Sequence, residues 1–229
     1  MTTAIPRRGP AHRSSRFPAG RLLRASVFLV ICVLGLSLFV RSFVVQVFEV
    51  PSKSMEPTLT IGDTMAVTRP LTQWGEPHRG DTVVFRDPGG WLPGGSRPES
   101  PLAQALEFIG MIPYHSGEHL VKRVIGEAGD VVECRGRGPV YVNGVPAREP
   151  YLARGTYPCR ETFTVTVPAH ALWVLGDNRD DSADSRFHLA DGRLGSVPLS
   201  CVVGTVVVKV WPPSRWGRPA SGDSEVASS

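Results

Sequence analysis

Three short segments of the chain combine hydroxyl, amine and carboxylate side chains that could act on a peptide bond. They are PSKSMEPTL at 51–59, LVKRVIGEAGD at 120–130 and GDNRDDSADSR at 176–186. A serine hydroxyl becomes a good nucleophile when a neighbouring base takes its proton, and a lysine amine can be that base only when it is neutral. The three segments therefore contain the residue types that nucleophilic catalysis by a serine and a lysine would need. Read singly, each is also typical of a helix cap, a strand-edge lysine or a turn.

The chain offers few lysines for this role, because only three of its 25 basic residues are lysine. An unperturbed lysine has a pKa of about 10.4 and is protonated at neutral pH, but burial can lower that pKa by several units. Lys122 has apolar residues before and after it that would bury it, whereas Lys53 adjoins Ser54 and would point to the opposite face of an extended segment. Lys209 lies in VVVKV, where a solvated side chain costs less. Of the three lysines, Lys122 is therefore the best candidate for such a base.

Other catalytic patterns are absent from the sequence. There is no G-x-S-x-G, S-x-x-K, H-E-x-x-H or Walker motif. His115 and His119 are four residues apart without an obvious third ligand, and the four cysteines lack zinc spacing. The sequence therefore predicts no metal and no other cofactor.

The net positive charge of the chain comes from its first 24 residues. Six arginines and no acidic residue occur within 1–24, which leaves 19 basic against 21 acidic residues in the remainder. A nucleic-acid-binding surface would need clustered basic residues on the folded part. The charge distribution therefore argues against a nucleic-acid partner.

Residues 22–48 predict one transmembrane anchor. The run ASVFLVICVLGLSLFV at 25–40 has no charge, and 22–48 as a helix would span about 40 Å against a hydrocarbon core of ~30 Å. The arginines before it place the N-terminus in the cytoplasm and the rest of the chain on the extracytoplasmic side. A cleaved secretory signal peptide is the alternative, but no A-x-A-like site follows the apolar run.

The rest of the chain predicts one domain between two tails. Disordered tails are expected at 1–21, basic and cytoplasmic, and at 212–229. Between the anchor and 211, short runs with strand composition predict a mostly β, antiparallel sheet or barrel-like catalytic domain over 49–211. Asn143-Gly144 predicts a tight hairpin. The Pro- and Gly-rich stretch 87–118 predicts an insertion or lid.

In this order, the three segments resemble the main sequence boxes of the type I signal peptidases, membrane-bound Ser–Lys proteases that remove signal peptides from exported proteins. RGDTVVF at 79–85 resembles a weaker fourth box, and the resemblance covers about 45–210. A single anchor is more similar to the Gram-positive and actinobacterial members. The resemblance implies a β-rich catalytic domain behind one transmembrane helix.

The resemblance also implies roles for individual residues. Ser54 matches the nucleophile, Lys122 the general base, and Ser52 the side chain that joins the Ser54 backbone N–H in the oxyanion hole. Ser182 matches the hydroxyl that orients the lysine amine. The residues that match the supporting ion pair and turn are Asp184, Arg186, Gly176, Asp177 and Asn178.

The implied substrate is a signal peptide with small residues at the first and third positions before the cut, typically Ala-x-Ala. An extended peptide could add to strand edges beside the site by main-chain pairing. The apolar positions that match the shallow pockets, and that ordinary core packing would also explain, are Val50, Pro51, Met55, Leu59, Leu120 and Val121. Membrane lipid and the precursor are the expected partners, and the chain is expected to be a monomer.

Three rival functions remain at this point. A specialised relative that processes a narrow precursor class, such as a pilin-like or conjugation-system protein, would carry the same boxes. A self-cleaving LexA-type repressor would need a DNA-binding domain in place of the anchor. A non-catalytic docking paralogue should lack the serine or the lysine, and this chain has both.

A disulfide is predicted between Cys134 and Cys159. Beyond the membrane, thiols can be oxidised, and the two cysteines flank the Asn143-Gly144 hairpin. Closing the 26 residues from 134 to 159 would stabilise the fold by roughly 3 kcal/mol through loop-closure entropy.

Overall fold

The computed structural model describes residues 24–33, 35, 45–68, 76–92 and 119–221. Residues 24–33 are helical. Among the described residues, no helix combines the length and the apolar character needed to cross a membrane. The predicted tail at 1–21 and most of the predicted lid, 93–118, lie outside the described residues.

The described residues form eleven strands. In chain order they are β1 (Val45–Glu49), β2 (Thr64–Thr68), β3 (Thr82–Arg86), β4 (His119–Gly126), β5 (Val131–Cys134), β6 (Val140–Val142), β7 (Val145–Pro146), β8 (Phe163–Thr166), β9 (Ala171–Leu175), β10 (Val197–Pro198) and β11 (Val202–Trp211). One sheet has the order β1-β2-β11-β3-β4-β9-β10, and a smaller one has the order β7-β6-β5-β8. All the recorded pairings are antiparallel, which confirms the mostly β, antiparallel fold.

The predicted anchor at 22–48 extends too far, because the chain is already in β1 from Val45. The segment VQVFE pairs with β2 over five residues, so its backbone hydrogen bonds are satisfied by a sheet and not by a helix. Phe48 is buried and Glu49 is exposed, as the two-residue period of a strand requires. Residues 36–44 lie outside the described residues.

β11, the last of the described strands, lies between β2 and β3. It pairs with β3 from Val202 to Thr205 and with β2 from Thr205 to Trp211. Gly204 permits this fit, since a side chain there would put its Cβ 2.8 Å from the carbonyl carbon of Thr68. β11 thereby joins the β1–β2 pair to the β3–β4 pair.

An apolar cluster fixes the segment that follows β1 onto this sheet. Met55 and Leu59 are fully buried, and they pack with residues from all five of these strands: Phe48, Met65, Val67, Val84, Val121 and Val206. Burial of a side chain of this size is worth about 1.5–3 kcal/mol. The turn between Met55 and β1 is therefore held against the sheet by its neighbours.

The smaller sheet contains the predicted hairpin. Asn143 and Gly144 connect β6 to β7 with φ angles of 52° and 80°, the left-handed conformations that a two-residue hairpin turn needs. A disulfide joins Cys134, at the end of β5, to Cys159, with the Cα atoms 6.2 Å apart. The backbone of Cys159 also pairs with Gly138. The loop after β7 is thereby tied to the rim of this sheet.

The chain beyond Trp211 is more ordered than the predicted tail at 212–229. A 3₁₀ turn covers Pro213–Arg215, and Gly217 pairs with Lys209 on β11. Arg215 lies 3.1 Å from the carboxylate of Asp63. These contacts, which no local pattern signals, fix the start of the tail, whereas residues 222–229 lie outside the described residues.

Candidate active site

Ser54 lies in a single 3₁₀ turn, Lys53–Met55, between β1 and β2. Ser52 before the turn is extended, and the buried Met55 behind it anchors the turn in the apolar cluster. The turn presents Ser54 at the edge of that cluster, where the residue is 8% exposed. Because this turn is short and anchored, the direction of the Ser54 hydroxyl is restricted.

Lys122 lies on β4 and is only 3% exposed. Its Nζ atom is 2.6 Å from Ser54 Oγ, although the two residues are 68 positions apart in the sequence. The structure therefore brings the predicted base and the predicted nucleophile into direct hydrogen-bond contact. Proton transfer between them needs no intervening group.

Burial is the main cause of an altered pKa at Lys122. Desolvation lowers the pKa of the amine from 10.5 to about 8, against the opposing effect of the carboxylates of Asp184 and Asp177 and with a smaller contribution from Arg186. An amine with this pKa is partly neutral near neutral pH, which a general base requires. The apolar surroundings of Lys122 thus favour the neutral amine that a base would need.

Ser52 brings a second hydroxyl to the nucleophile. Its Oγ atom is 3.2 Å from Ser54 Oγ. A hydroxyl beside the attacking oxygen can donate to the negative charge that develops on a substrate carbonyl, together with a backbone N–H. The position of Ser52 fits the oxyanion-hole role that the resemblance implies.

The turn at 176–178 holds the backbone at Ser54. The N–H of Asn178 donates to the Ser54 carbonyl at 3.0 Å, and the Asn178 amide donates to the Lys53 carbonyl at 3.2 Å. Gly176 has no room for a side chain, since a Cβ there would lie 2.5 Å from the Ser54 carbonyl oxygen and 2.5 Å from Ser182 Cβ. Only glycine fits there.

Ser182, Asp184 and Arg186 form a connected group. The Ser182 hydroxyl donates to Asp184 at 2.8 Å, and Arg186 donates to both oxygens of Asp184 at 2.8 Å. Asp184 also accepts the N–H of Gly176 at 3.0 Å. The Ser182 hydroxyl therefore directs its proton to Asp184 and not to the amine of Lys122. The hydrogen bond that the structure records for Lys122 within the described residues goes to Ser54.

Arg123 is a supporting residue that the sequence reasoning missed. It is 1% exposed, donates to both oxygens of Asp177 at 2.8 and 2.6 Å, and donates to the Gly80 carbonyl at 2.6 Å. Its guanidinium lies 3.9 Å from the centre of the Tyr151 ring. Asp177 is therefore one half of a buried ion pair as well as a turn residue. The sequence offered one signal of this buried role, which is an arginine inside the apolar strand HLVKRVI.

Arg179 is a second supporting residue to which the sequence analysis assigned no role. It is buried and forms an ion pair with the buried Glu149, which follows the β6–β7 hairpin. Nothing in the sequence pairs the two positions, because the contact joins loops 30 residues apart. The neighbouring pair between Arg160 and Asp180 is exposed.

The six apolar positions assigned to substrate pockets are divided in the structure. Val50, Met55, Leu59 and Val121 belong to one buried cluster, which also serves as the core. Leu120 is half-buried and packs against a different cluster, because adjacent residues of a strand face opposite sides. Pro51 is exposed.

No group of the described histidine, cysteine and acidic residues could hold a metal ion. One histidine considered as a ligand, His115, lies outside the described residues. The chemistry that the described site can perform is attack by an oxygen nucleophile with an amine as the base, which is the chemistry of a serine peptidase.

Comparison with known proteins identifies the family within this class. Residues 22–211 match the family described as signal peptidase, peptidase S26. The chain belongs to this family of serine peptidases, which confirms the resemblance drawn from the sequence boxes.

The relatives agree with this assignment. The chain is 39% identical to signal peptidase I of Mycobacterium tuberculosis (strain H37Rv) over 91% of this chain and 76% of the relative. It is 34% identical to signal peptidase I of Leptolyngbya laminosa over 80% of this chain and 77% of that protein. The crystal structure of a signal peptidase I from Enterococcus faecalis matches 57% of this chain and 96% of its own, with 27% identity and a TM-score of 0.37.

Proposed function

We propose that this signal peptidase removes N-terminal signal peptides from exported preproteins with Ser54 as the nucleophile and Lys122 as the general base. Removal of signal peptides follows from membership of the family. The observation that carries the assignment of the two residues is the 2.6 Å contact between the buried amine and the hydroxyl. The lowered pKa of Lys122 supports it.

The reaction begins with neutral Lys122. Its Nζ takes the proton of the Ser54 hydroxyl while Ser54 Oγ forms a bond to the carbonyl carbon of the scissile peptide. The carbonyl oxygen becomes negatively charged, and the Ser54 backbone N–H and the Ser52 hydroxyl donate to it. The protonated Lys122 then gives its proton to the leaving nitrogen, the C–N bond breaks, and the mature protein departs with a free amino terminus.

The second half of the reaction repeats these roles with water. The signal peptide is now an ester on Ser54, and neutral Lys122 takes a proton from a water molecule that attacks the ester carbonyl. The C–O bond to Ser54 breaks, and the proton returns to Ser54 Oγ. The signal peptide leaves with a new carboxylate. One lysine thus serves as base and acid in both steps.

The remaining residues of the site support this pair. Gly176, Asn178 and the Arg123–Asp177 ion pair hold the nucleophile turn, and Asp184 with Arg186 holds Ser182 beside them. In the proposed complex, small residues of an Ala-x-Ala type site lie against the apolar positions near Ser54. Of the six positions assigned to those pockets, Val50, Met55, Leu59 and Val121 belong to the cluster beside Ser54 and Pro51 adjoins it in the sequence. Leu120 packs against a different cluster and is left out of the proposed pocket.

The proposed enzyme works at the membrane as a monomer. An uncharged run at 25–40 behind an arginine-rich start supports a single anchor that ends before Val45, with the N-terminus in the cytoplasm and the catalytic domain on the extracytoplasmic side. Membrane lipid and the preprotein are its partners. No cofactor is assigned to the reaction.

Cleavage of a peptide with an Ala-x-Ala site by the detergent-solubilised full chain tests the proposal. Ser54→Ala and Lys122→Met are each expected to lose nearly all turnover, and the double variant is expected to be no worse than either, because the two residues act as a unit. Substantial turnover by a folded Lys122→Met chain would contradict the mechanism. Lys209→Met is the matched control, since Lys209 lies on β11 and donates to the Thr58 carbonyl.

A further inference from the structure

The ion pair between Glu149 and Arg179 is buried but takes no part in the mechanism above. The side chains are 3% and 1% exposed. Removing two charges from water costs free energy, which their attraction offsets only when further hydrogen bonds complete the arrangement. One of the hydrogen bonds that complete it goes to Gly176, in the candidate site.

Arg179 uses all three of its guanidinium nitrogens. Nε donates to the Gly176 carbonyl at 3.0 Å, and Nη1 donates to the Pro158 carbonyl at 2.6 Å and to Glu149 at 3.0 Å. Nη2 donates to the other oxygen of Glu149. The guanidinium thus connects the turn at 176–178 to the loop that follows the β6–β7 hairpin.

Gly176 is held on both sides as a result. Its N–H donates to Asp184 and its carbonyl accepts from Arg179. The same turn binds the Ser54 carbonyl through the N–H of Asn178. The orientation of the turn under the nucleophile therefore depends on the position of Arg179, and that position depends on Glu149.

A second connection from Glu149 passes through Tyr151. The Tyr151 hydroxyl donates to Glu149 at 2.8 Å, and burial raises its pKa, so the hydroxyl keeps its proton and remains a donor. The Tyr151 ring packs against the guanidinium of Arg123, which holds Asp177. Glu149 thus supports the turn from two directions, through Arg179 at Gly176 and through Tyr151 and Arg123 at Asp177.

We propose that Glu149, outside the sequence boxes of the family, is a positioning residue that aligns the 176–178 turn under Ser54 by holding Arg179 and Tyr151. The inference deepens the proposed function and rests on it. Glu149 has no contact with the reacting atoms, so its effect is on the alignment of Ser54 and Lys122 and on the exclusion of water around them.

The decisive variant is Glu149→Gln, which keeps the shape of the side chain and removes its charge. We expect kcat to fall by at least about tenfold with KM changed by less than about twofold, because small misplacements reduce turnover more than binding. The acidic limb of the pH–rate profile should move to higher pH, since a loosened turn admits water to Lys122 and reverses part of the desolvation that lowers its pKa. Protein stability alone would not move that limb.

The matched control is Asp180→Asn. Asp180 also pairs with an arginine, Arg160, and it adjoins Arg179, but its pair is about half exposed, with side-chain exposures of 46% and 48%. This variant should keep the kcat and the pH profile of the parent. Arg179→Lys should behave like Glu149→Gln, because an ammonium keeps the charge but cannot bond to Gly176, Pro158 and Glu149 together.

Hydrogen exchange provides a readout that does not depend on catalysis. The amides at 176 and 178 should lose protection in Glu149→Gln and keep it in Asp180→Asn, in the full solubilised chain. A folded Glu149→Gln chain with the kcat, pH profile and amide protection of the parent would overturn the inference. If that variant does not fold, Tyr151→Phe decides, with a fall of about threefold in kcat expected and parental values overturning it.

The same measurements separate this inference from the proposed function. If the parent chain does not cleave the Ala-x-Ala peptide, or if Ser54→Ala cleaves it equally well, the proposed function fails. If the parent cleaves it in a Ser54-dependent way and Glu149→Gln equals the parent, only the positioning role fails.

Discussion

Replacing Lys122 by methionine should abolish turnover and also stabilise the folded protein. The buried amine binds protons less readily in the folded state than in the unfolded state, because desolvation lowers its pKa from 10.5 to about 8. The unfolded state therefore binds more protons between these two values, and the stability of the parent rises with pH across that window. Methionine fills a similar volume without a charge and removes the penalty.

The size of the effect follows from the pKa difference. Each unit corresponds to about 1.36 kcal/mol, so the shift to about 8 corresponds to about 3 kcal/mol at pH 7. The advantage of Lys122→Met should fall to about 2 kcal/mol at pH 9 and to below about 1 kcal/mol at pH 10, as the lysine of the unfolded chain loses its proton. These values count only the pKa difference. The loss of the hydrogen bond between the amine and Ser54 lowers each of them by about 1 kcal/mol.

Urea unfolding of the parent and of Lys122→Met at pH 7, 9 and 10 measures this difference. Only the difference between the two chains is interpreted, so other groups that titrate in the same range cancel. Lys209→Met is the control, because Lys209 is half-buried on β11 and its removal should give no gain. A Lys122→Met chain that is no more stable than the parent at pH 7, or whose advantage is unchanged at pH 10, would refute the reasoning.

Three further expectations concern the same site and the smaller sheet. In the parent, kcat/KM should rise about tenfold from pH 7 to pH 9, because the pKa of Lys122 is about 8; a pH–rate profile that is flat over this range would contradict the role of the amine. Gly176→Ala should lose activity and at least about 2 kcal/mol of unfolding free energy, because its methyl group would lie 2.5 Å from the Ser54 carbonyl; thermal unfolding and peptide cleavage measure both, and a fully active variant would exclude the described packing. Replacing both Cys134 and Cys159 by serine should cost roughly 3 kcal/mol of stability and leave kcat near the parental value, since both cysteines pack in the apolar cluster of the smaller sheet; loss of kcat in a folded variant would show that the rim of this sheet matters for the chemistry.

The sequence predicted those features that depend on neighbouring residues. The apolar runs DTVVF and ALWVL correspond to β3 and β9, because strand composition and the turn residues that bound a strand are local properties. Asn143-Gly144 turns as expected for the same reason. The two residues selected as base and nucleophile meet at 2.6 Å, and the resemblance supplied that pairing, since no local pattern relates positions 54 and 122.

The features that the sequence did not predict depend on distant partners. The helical interpretation of 45–48 failed because apolar content alone does not distinguish the end of an anchor from a strand that pairs with β2. The buried roles of Arg123 and Arg179 follow from their contacts with Asp177 and Glu149. Sequence analysis predicts a charged residue to be exposed unless its partner is known. The order at 213–217 likewise depends on β11 and on Asp63.

The position of β11 makes the assembly of the sheet depend on the order in which the chain is made. Ser54 follows β1 and Lys122 lies on β4, and the strand that joins their two halves of the sheet is the last of the described strands to be synthesised. A nascent chain that has not yet reached residue 202 contains Ser54 and Lys122 but not the ladder between β2 and β3. The proposed Ser54–Lys122 pair is therefore expected to form only after residues 202–211 have been added to the sheet.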